Sequence, residues 1–234
     1  MKNDQIKDRS MLNEIVQPLT DWYRQNKRIL PWRDQNNAYY TWVSEIMLQQ
    51  TRVEAVKPYF QRFIGELPDV QALAECPEEK LMKLWEGLGY YNRVRNMQTA
   101  ARTVVCEYEG VLPASYEELL SLKGIGNYTA GAIASIAYQI PVPAVDGNVL
   151  RVISRITEDR QDIMKQSVRR QIEENLLGIM PEETPGDFNQ ALMELGAVVR
   201  FFWKERSLHQ DAQMWLPVPG LSGHPPAHKL PVQK

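Results

Sequence analysis

The sequence predicts an all-α protein, and three observations predict it. Apolar residues recur at helical spacing in one segment after another. No alternating polar and apolar run is long enough to build a sheet. Helix-start chemistry also stands where a helix would begin, with Ser115-Tyr-Glu-Glu118 as a capping box before Leu119 and Leu120. Taken in order, Leu12, Ile15, Val16, Leu19 and Trp22 share one face of a first helix. Residues 44–60 repeat the pattern with Ile46, Leu48, Val53, Val56 and Tyr59, and Pro58 is expected to end or kink that helix. Residues 78–88 carry Leu81, Leu84 and Trp85; residues 95–108 carry Met97, Ala101, Val104 and Val105. After the capped helix, a further one is expected to open near Asn127 or Tyr128, and 149–156, 167–177 and 187–199 complete the set. Beyond Val199 the periodicity is lost. Five prolines and all three histidines (His209, His224, His228) lie there, so residues 200–234 read as an irregular tail.

Composition bounds the function. A chain of 234 residues, 44% hydrophobic, can bury a sizeable core in one or two domains. A net charge of −2 excludes a polybasic surface, so any nucleic-acid binding must use a local basic face and backbone groups. The polar start predicts no secretory signal, and the longest mostly apolar run, 128–138, is too short to span a bilayer. With only Cys76 and Cys106, a soluble protein of a reducing cytoplasm is expected, with no membrane partner. His224 and His228 have helical spacing, but Pro225 and Pro226 between them oppose a helix, so no metal site is expected on them. With no histidine in the helical body, acid–base work there falls mainly to carboxylates, with tyrosine and lysine as weaker candidates.

Three stretches carry the chemistry. In Leu122-Lys-Gly-Ile-Gly126, Gly124 and Gly126 would let a tight hairpin take positive φ and approach a partner closely. The helix that follows would leave its first N–H groups free for an anion, such as one phosphate of a nucleic-acid strand. Val145-Asp-Gly-Asn-Val149 then supplies Asp146, a lone carboxylate in a glycine-rich, apolar run. The plainer alternative is a simple turn, with Asp146 an ordinary N-cap. Glu45, within Trp42-Val-Ser-Glu-Ile-Met-Leu-Gln-Gln-Thr51, is read as lying just inside a helix start among apolar neighbours that would desolvate it and raise its pKa. A carboxyl that stays protonated near neutral pH suits general-acid work. The alternative is a first-turn glutamate favoured by the helix dipole. Gln49, Gln50 and Thr51 offer short polar groups for base edges or a wedge, or else form a solvated face.

Together these motifs resemble the helix–hairpin–helix DNA glycosylases, and within them the adenine DNA glycosylase (MutY) type. Pro31-Trp-Arg33, Leu84-Trp-Glu-Gly-Leu-Gly-Tyr-Tyr-Asn-Arg-Val-Arg95 and Asn189-Gln-Ala-Leu-Met-Glu-Leu-Gly-Ala197 agree as well, so the resemblance covers about residues 10–199. It implies two helical lobes with DNA in the cleft between them. Residues 30–135 would form a middle lobe with the helix–hairpin–helix at 122–131, and 1–29 with 136–199 a terminal lobe. It implies Glu45 as the acid that protonates adenine at a ring nitrogen and later directs water. Asp146 would stabilise the oxocarbenium-like sugar, with Tyr128 and Asn148 in support. Gln50, Thr51, Leu88 and Tyr90 match positions that wedge at, or contact, an opposing 8-oxoguanine, and Trp32 and Arg33 match the adenine pocket. The implied partner is double-stranded DNA with an A·8-oxoguanine or A·G mismatch, bound by a monomer. Bifunctional relatives carry a lysine just after the hairpin for a Schiff base. Here Tyr128 stands in its place and Lys123 lies inside the hairpin, so a monofunctional hydrolase without a strong lyase step is expected.

The sequence departs from the family pattern near its end. The family continues Glu-Leu-Gly-Ala-x-x-Cys into a four-cysteine [4Fe–4S] loop; here Arg200 takes the first ligand position and no cysteine follows. No cofactor is therefore expected, although the resemblance allows a monovalent cation at the hairpin carbonyls. Nothing in 201–234 resembles the family's C-terminal 8-oxoguanine-recognition domain. Either a naturally short, cluster-free variant or a shifted reading frame after about codon 199 accounts for this, and the abrupt change of character favours the second. The alternative functions are a truncated remnant that binds DNA with little catalysis, and an enzyme of another mismatch specificity.

Overall fold

A computed structural model describes residues 2–33 and 36–198, which form eleven helices and no strand. They are α1 (Lys2–Asn26), α2 (Ala38–Leu48), α3 (Val53–Glu66), α4 (Val70–Glu75), α5 (Glu78–Leu84) and α6 (Asn92–Glu107), then α7 (Tyr116–Ser121), α8 (Asn127–Tyr138), α9 (Gly147–Ile156), α10 (Gln166–Leu177) and α11 (Pro185–Val198). The tail expected after Val199, including Arg200 and the three histidines, lies outside the described residues. Among the described residues, no helix is long and apolar enough to cross a membrane.

Capping chemistry places several of these helices. Ser115 accepts the Glu118 N–H at 3.3 Å to open α7. Asn37 accepts the Tyr40 N–H at 3.0 Å, so α2 opens at Ala38, upstream of the expected start. The expected single helix over 44–60 is two helices. The chain breaks at 49–52, where Gln50 takes φ 64°, and Pro58 lies inside α3 without ending it. Pro58 removes the N–H that would have bonded the Glu54 carbonyl, but both residues are exposed near the helix start, where water can serve that carbonyl. The segment 78–88 likewise ends its helix at Leu84 and turns through Trp85 to Leu88.

The apolar faces pack into two large cores. One joins residues from Leu30 to Ala134, with Trp42, Trp85 and Phe63 at its centre. The other joins Leu12, Ile15, Leu19 and Tyr23 of α1 to α9, α10 and α11. Helix α8 is buried on nearly every side and packs on α2 and α7 of the first core and on α11 of the second. A short seam of Ala132, Ile136 and Ala144, flanked by Tyr128 and Met193, lies where the two meet. That seam positions the site.

Candidate active site

Glu45 comes from the last turn of α2, not from its first, and this corrects the sequence expectation. The helix dipole therefore disfavours its ionised form, and the first-turn explanation for a glutamate here fails. The residue is only 7% exposed. Burial is the main cause that pushes its carboxyl from 4.5 up to about 7; the Tyr128 hydrogen bond opposes this, the Asp146 charge adds to it and Arg33 opposes it. Tyr128, from the first turn of α8, donates its hydroxyl to Glu45 Oε2 and lies 3.6 Å from Met193 Sδ. Burial, and then the nearby Glu45 and Asp146, push the Tyr128 phenol well above its ordinary value, so it remains a donor.

Asp146 takes the capping role that the sequence left open to it. It is the N-cap of α9, with Oδ1 accepting the N–H groups of Asn148 and Val149, each at 2.8 Å. Its Oδ2 accepts from Asn148 Nδ2 at 2.7 Å, and Arg151 Nη2 donates to the Asn148 side-chain Oδ1 at 2.6 Å. Three donors thus fix a carboxylate that remains close enough to Glu45 to act on its charge. A Cβ on Gly196 of α11 would come within 2.6 Å of the Asn148 Cβ, so only glycine lets α11 lie this close behind the pair.

The hairpin lies at the start of the helix that carries Tyr128. Gly124 has φ 84°, and a Cβ there would meet the Asn96 Cβ at 2.8 Å. Gly126 does not take positive φ, contrary to expectation: it is the N-cap of α8 in extended backbone, with no side-chain cap and open space where a Cβ would be. No acidic residue occupies the first turn of α8, and Gly126 and Asn127 at its start are exposed, so nothing acidic from its own first turn offsets the positive end of its dipole.

The remaining sequence candidates divide. Gln49, Gln50, Thr51 and Tyr90 gather on two adjoining loops, with Tyr90 66% exposed. Leu88 is buried beneath them and does not present its side chain to a ligand. Trp32 is also buried, packed edge-on against Phe60 with ring centres 5.3 Å apart. Arg33 lies over the Tyr23 ring and bonds Glu194 Oε2 at 2.9 Å.

Glu194, Arg28, Arg151 and Met193 carry parts of this site that sequence reasoning missed. Glu194 of α11 is almost fully enclosed and is gripped by Arg28 and Arg33. Burial would raise its carboxyl, but the two arginines outweigh that and hold it below the usual range. The available signal was a charged residue among the apolar positions Ala191, Leu192 and Leu195. Arg151 had a weaker one, a basic residue one helical turn beyond Asn148.

A buried acid near neutrality, a pinned carboxylate beside it and a hairpin-opened helix define a helical class of DNA base-excision domain. Residues 43–177 match the HhH-GPD superfamily base excision DNA repair protein model, more than half of the chain, and the chain belongs to that family. It is 45% identical over 190 residues to the adenine DNA glycosylase of Mus musculus, covering 77% of this chain and 37% of that protein. The adenine DNA glycosylase of Buchnera aphidicola subsp. Baizongia pistaciae is 38% identical over 186 residues, with 79% and 52% covered. The chain thus spans between about a third and about half the length of these relatives. Among solved structures, a thermostable thymine-DNA glycosylase superposes with a TM-score of 0.72 at 25% identity, covering 85% of this chain and 90% of that one. The all-α expectation and the helix–hairpin–helix glycosylase fold both hold.

Proposed function

We propose that this chain is a DNA-repair hydrolase that cleaves the N-glycosidic bond of adenine in double-stranded DNA, opposite 8-oxoguanine or guanine. One observation carries the chemistry: Glu45 is a buried acid with a pKa of about 7, in contact with Tyr128 and within reach of the Asp146 charge. The similarity to adenine DNA glycosylases supports the choice of base.

The target adenine leaves the stack, at a cost of a few kcal/mol by the general rule for flipped bases. The protonated Glu45 delivers its proton to a ring nitrogen, so the base departs neutral as the bond to the sugar breaks. Positive charge develops on the sugar, and the Asp146 carboxylate, already oriented by Asn148 and the α9 backbone, stabilises it without reorganisation. The Tyr128 hydroxyl stabilises the Glu45 carboxylate that remains, and that carboxylate takes the proton of the attacking water. Tyr128 cannot form an imine, which supports a monofunctional reaction. Four cluster-ligating thiolates cannot be drawn from the two cysteines of this sequence, Cys76 in the first core and Cys106 exposed on α6, so the reading includes no iron–sulfur cluster.

Single-turnover release of adenine from an A·8-oxoguanine duplex tests the proposal. The unmodified protein is expected to release adenine and Glu45→Gln to lose at least about a hundredfold in rate, the usual scale for general-acid catalysis. Equal release by both would overturn the mechanism. DNA binding without release by either would leave a binding remnant instead.

A further inference from the structure

Two loops lie side by side next to the end of α2, residues 49–52 and 86–91, and both adopt backbone that side chains rarely take. Gln50 and Tyr90 have φ of 64° and 47°, and Gly87 and Gly89 of 96° and 68°. Non-glycine residues hold such angles only where the surroundings fix them. Arg93, the second residue of α6, supplies the fixing. Its Nη1 donates to the carbonyl oxygens of Ile46 at 2.6 Å and Gln49 at 2.8 Å, at the end of α2. Its Nη2 donates to those of Leu88 at 3.0 Å and Gly89 at 3.2 Å. The guanidinium lies 5.4 Å from the Trp85 ring centre and 5.7 Å from that of Tyr90, and Trp85 Nε1 also bonds the Gly89 carbonyl at 3.0 Å. Between the loops opens a cavity of about 350 Å³ lined by Gln49, Gln50, Tyr90, Tyr91, Asn92 and Arg93.

We propose that Arg93 is a positioning residue whose planar fork locks the two loops into one rigid jaw, so that Gln50, Thr51 and Tyr90 meet a DNA duplex in fixed register. The inference rests on the DNA-binding reading above. Both terminal nitrogens are committed to main-chain carbonyls on opposite sides, so the residue acts through geometry and not as a phosphate contact. Arginine is required because lysine offers the same charge from a single point and cannot span both pairs.

Arg93→Lys tests this directly, with Arg93→Met as the uncharged comparison. Both are expected to bind an A·8-oxoguanine duplex about ten- to a hundredfold more weakly, because inward carbonyls lose their partners. Hydrogen exchange should rise together at 49–52 and 86–91 while α10 and α11 stay protected. Wild-type affinity in Arg93→Lys would overturn the proposal, as would faster exchange in one loop only or throughout the chain. If neither variant folds, the unmodified protein decides: the Nη1 and Nη2 protons of Arg93 should give separate, slowly exchanging NMR signals, and one averaged signal would overturn it. A wild-type protein that ignores mismatched DNA would instead defeat the proposed function, while loop exchange and the arginine signals would still judge Arg93.

Discussion

Glu45 shows how one buried carboxyl trades stability for chemistry. Its folded pKa of about 7 exceeds its ordinary value of 4.5. The proton is therefore held more tightly in the folded state, and the associated stability is present below pH 4.5 and lost as pH rises to about 7. Glu45→Gln removes that dependence. It is expected to unfold at higher temperature than the wild type at pH 8, by about 3 kcal/mol of stability, with the advantage gone near pH 4.5. Equal melting curves at both pH values would show that Glu45 is not held protonated. Base release by the wild type should fall about tenfold per pH unit above about pH 7, because only the protonated acid reacts. Asp146 permits a sharper separation, since it is both N-cap and anion. Asn148 N and Val149 N can bond an asparagine oxygen almost as well. Asp146→Asn keeps both backbone bonds and loses only the one from Asn148 Nδ2, so its melting temperature should fall modestly while base release collapses. Comparable losses of both would mean that the cap alone explains the residue. Glu45 was legible as an acid from its apolar neighbours in the sequence, but its place at the end of α2 was not, because the Asn37 cap upstream sets the helix start.

At the scale of elements, the hairpin was the most readable piece of the chain, yet its two glycines do different work. Gly124 needs glycine for its φ of 84° and for the Asn96 side chain packed against it. Gly126 needs neither; its Cβ would point into open space, which the proposed function assigns to a phosphodiester backbone. Gly124→Ala is expected to cost about 1–3 kcal/mol of stability through backbone strain. Gly126→Ala should melt normally and bind duplex DNA more weakly, as read by thermal denaturation and by titration. Reversal of that pattern would remove the hairpin from the DNA interface. The break between α2 and α3 was less legible, because apolar spacing runs on through 44–60 and the interruption arises from loop packing around Arg93. Pro58 does not end its helix, because the one carbonyl it leaves unbonded belongs to the exposed Glu54, where water can serve it.

Over the whole molecule, periodicity revealed which residues are buried but not which core each joins, since α1 packs on helices more than a hundred residues away. What joins the two halves of the site is a buried amide that local pattern could not single out. Asn189 of α11 is fully enclosed; its Oδ1 accepts the Ala144 N–H at 3.1 Å, and its Nδ2 donates to Ser135 Oγ at 2.8 Å and to the Val142 carbonyl at 2.9 Å. It therefore ties α8, which carries Tyr128, to the strap between α8 and α9, residues 139–146, which ends in Asp146. The distance between acid and anion is expected to depend on this tie, because Glu45 is bonded to Tyr128 of α8 and Asp146 ends the strap. Removing the amide leaves buried donors and acceptors without partners, each costing about 1–3 kcal/mol. Asn189→Ala should thus lower stability by several such increments, about 2–5 kcal/mol in all. It should also slow base release by the molecules that remain folded, measured at a temperature well below the variant's melting point. Unchanged single-turnover release per folded molecule would mean that α8 and the strap hold their separation without Asn189, and that its three bonds serve the core alone.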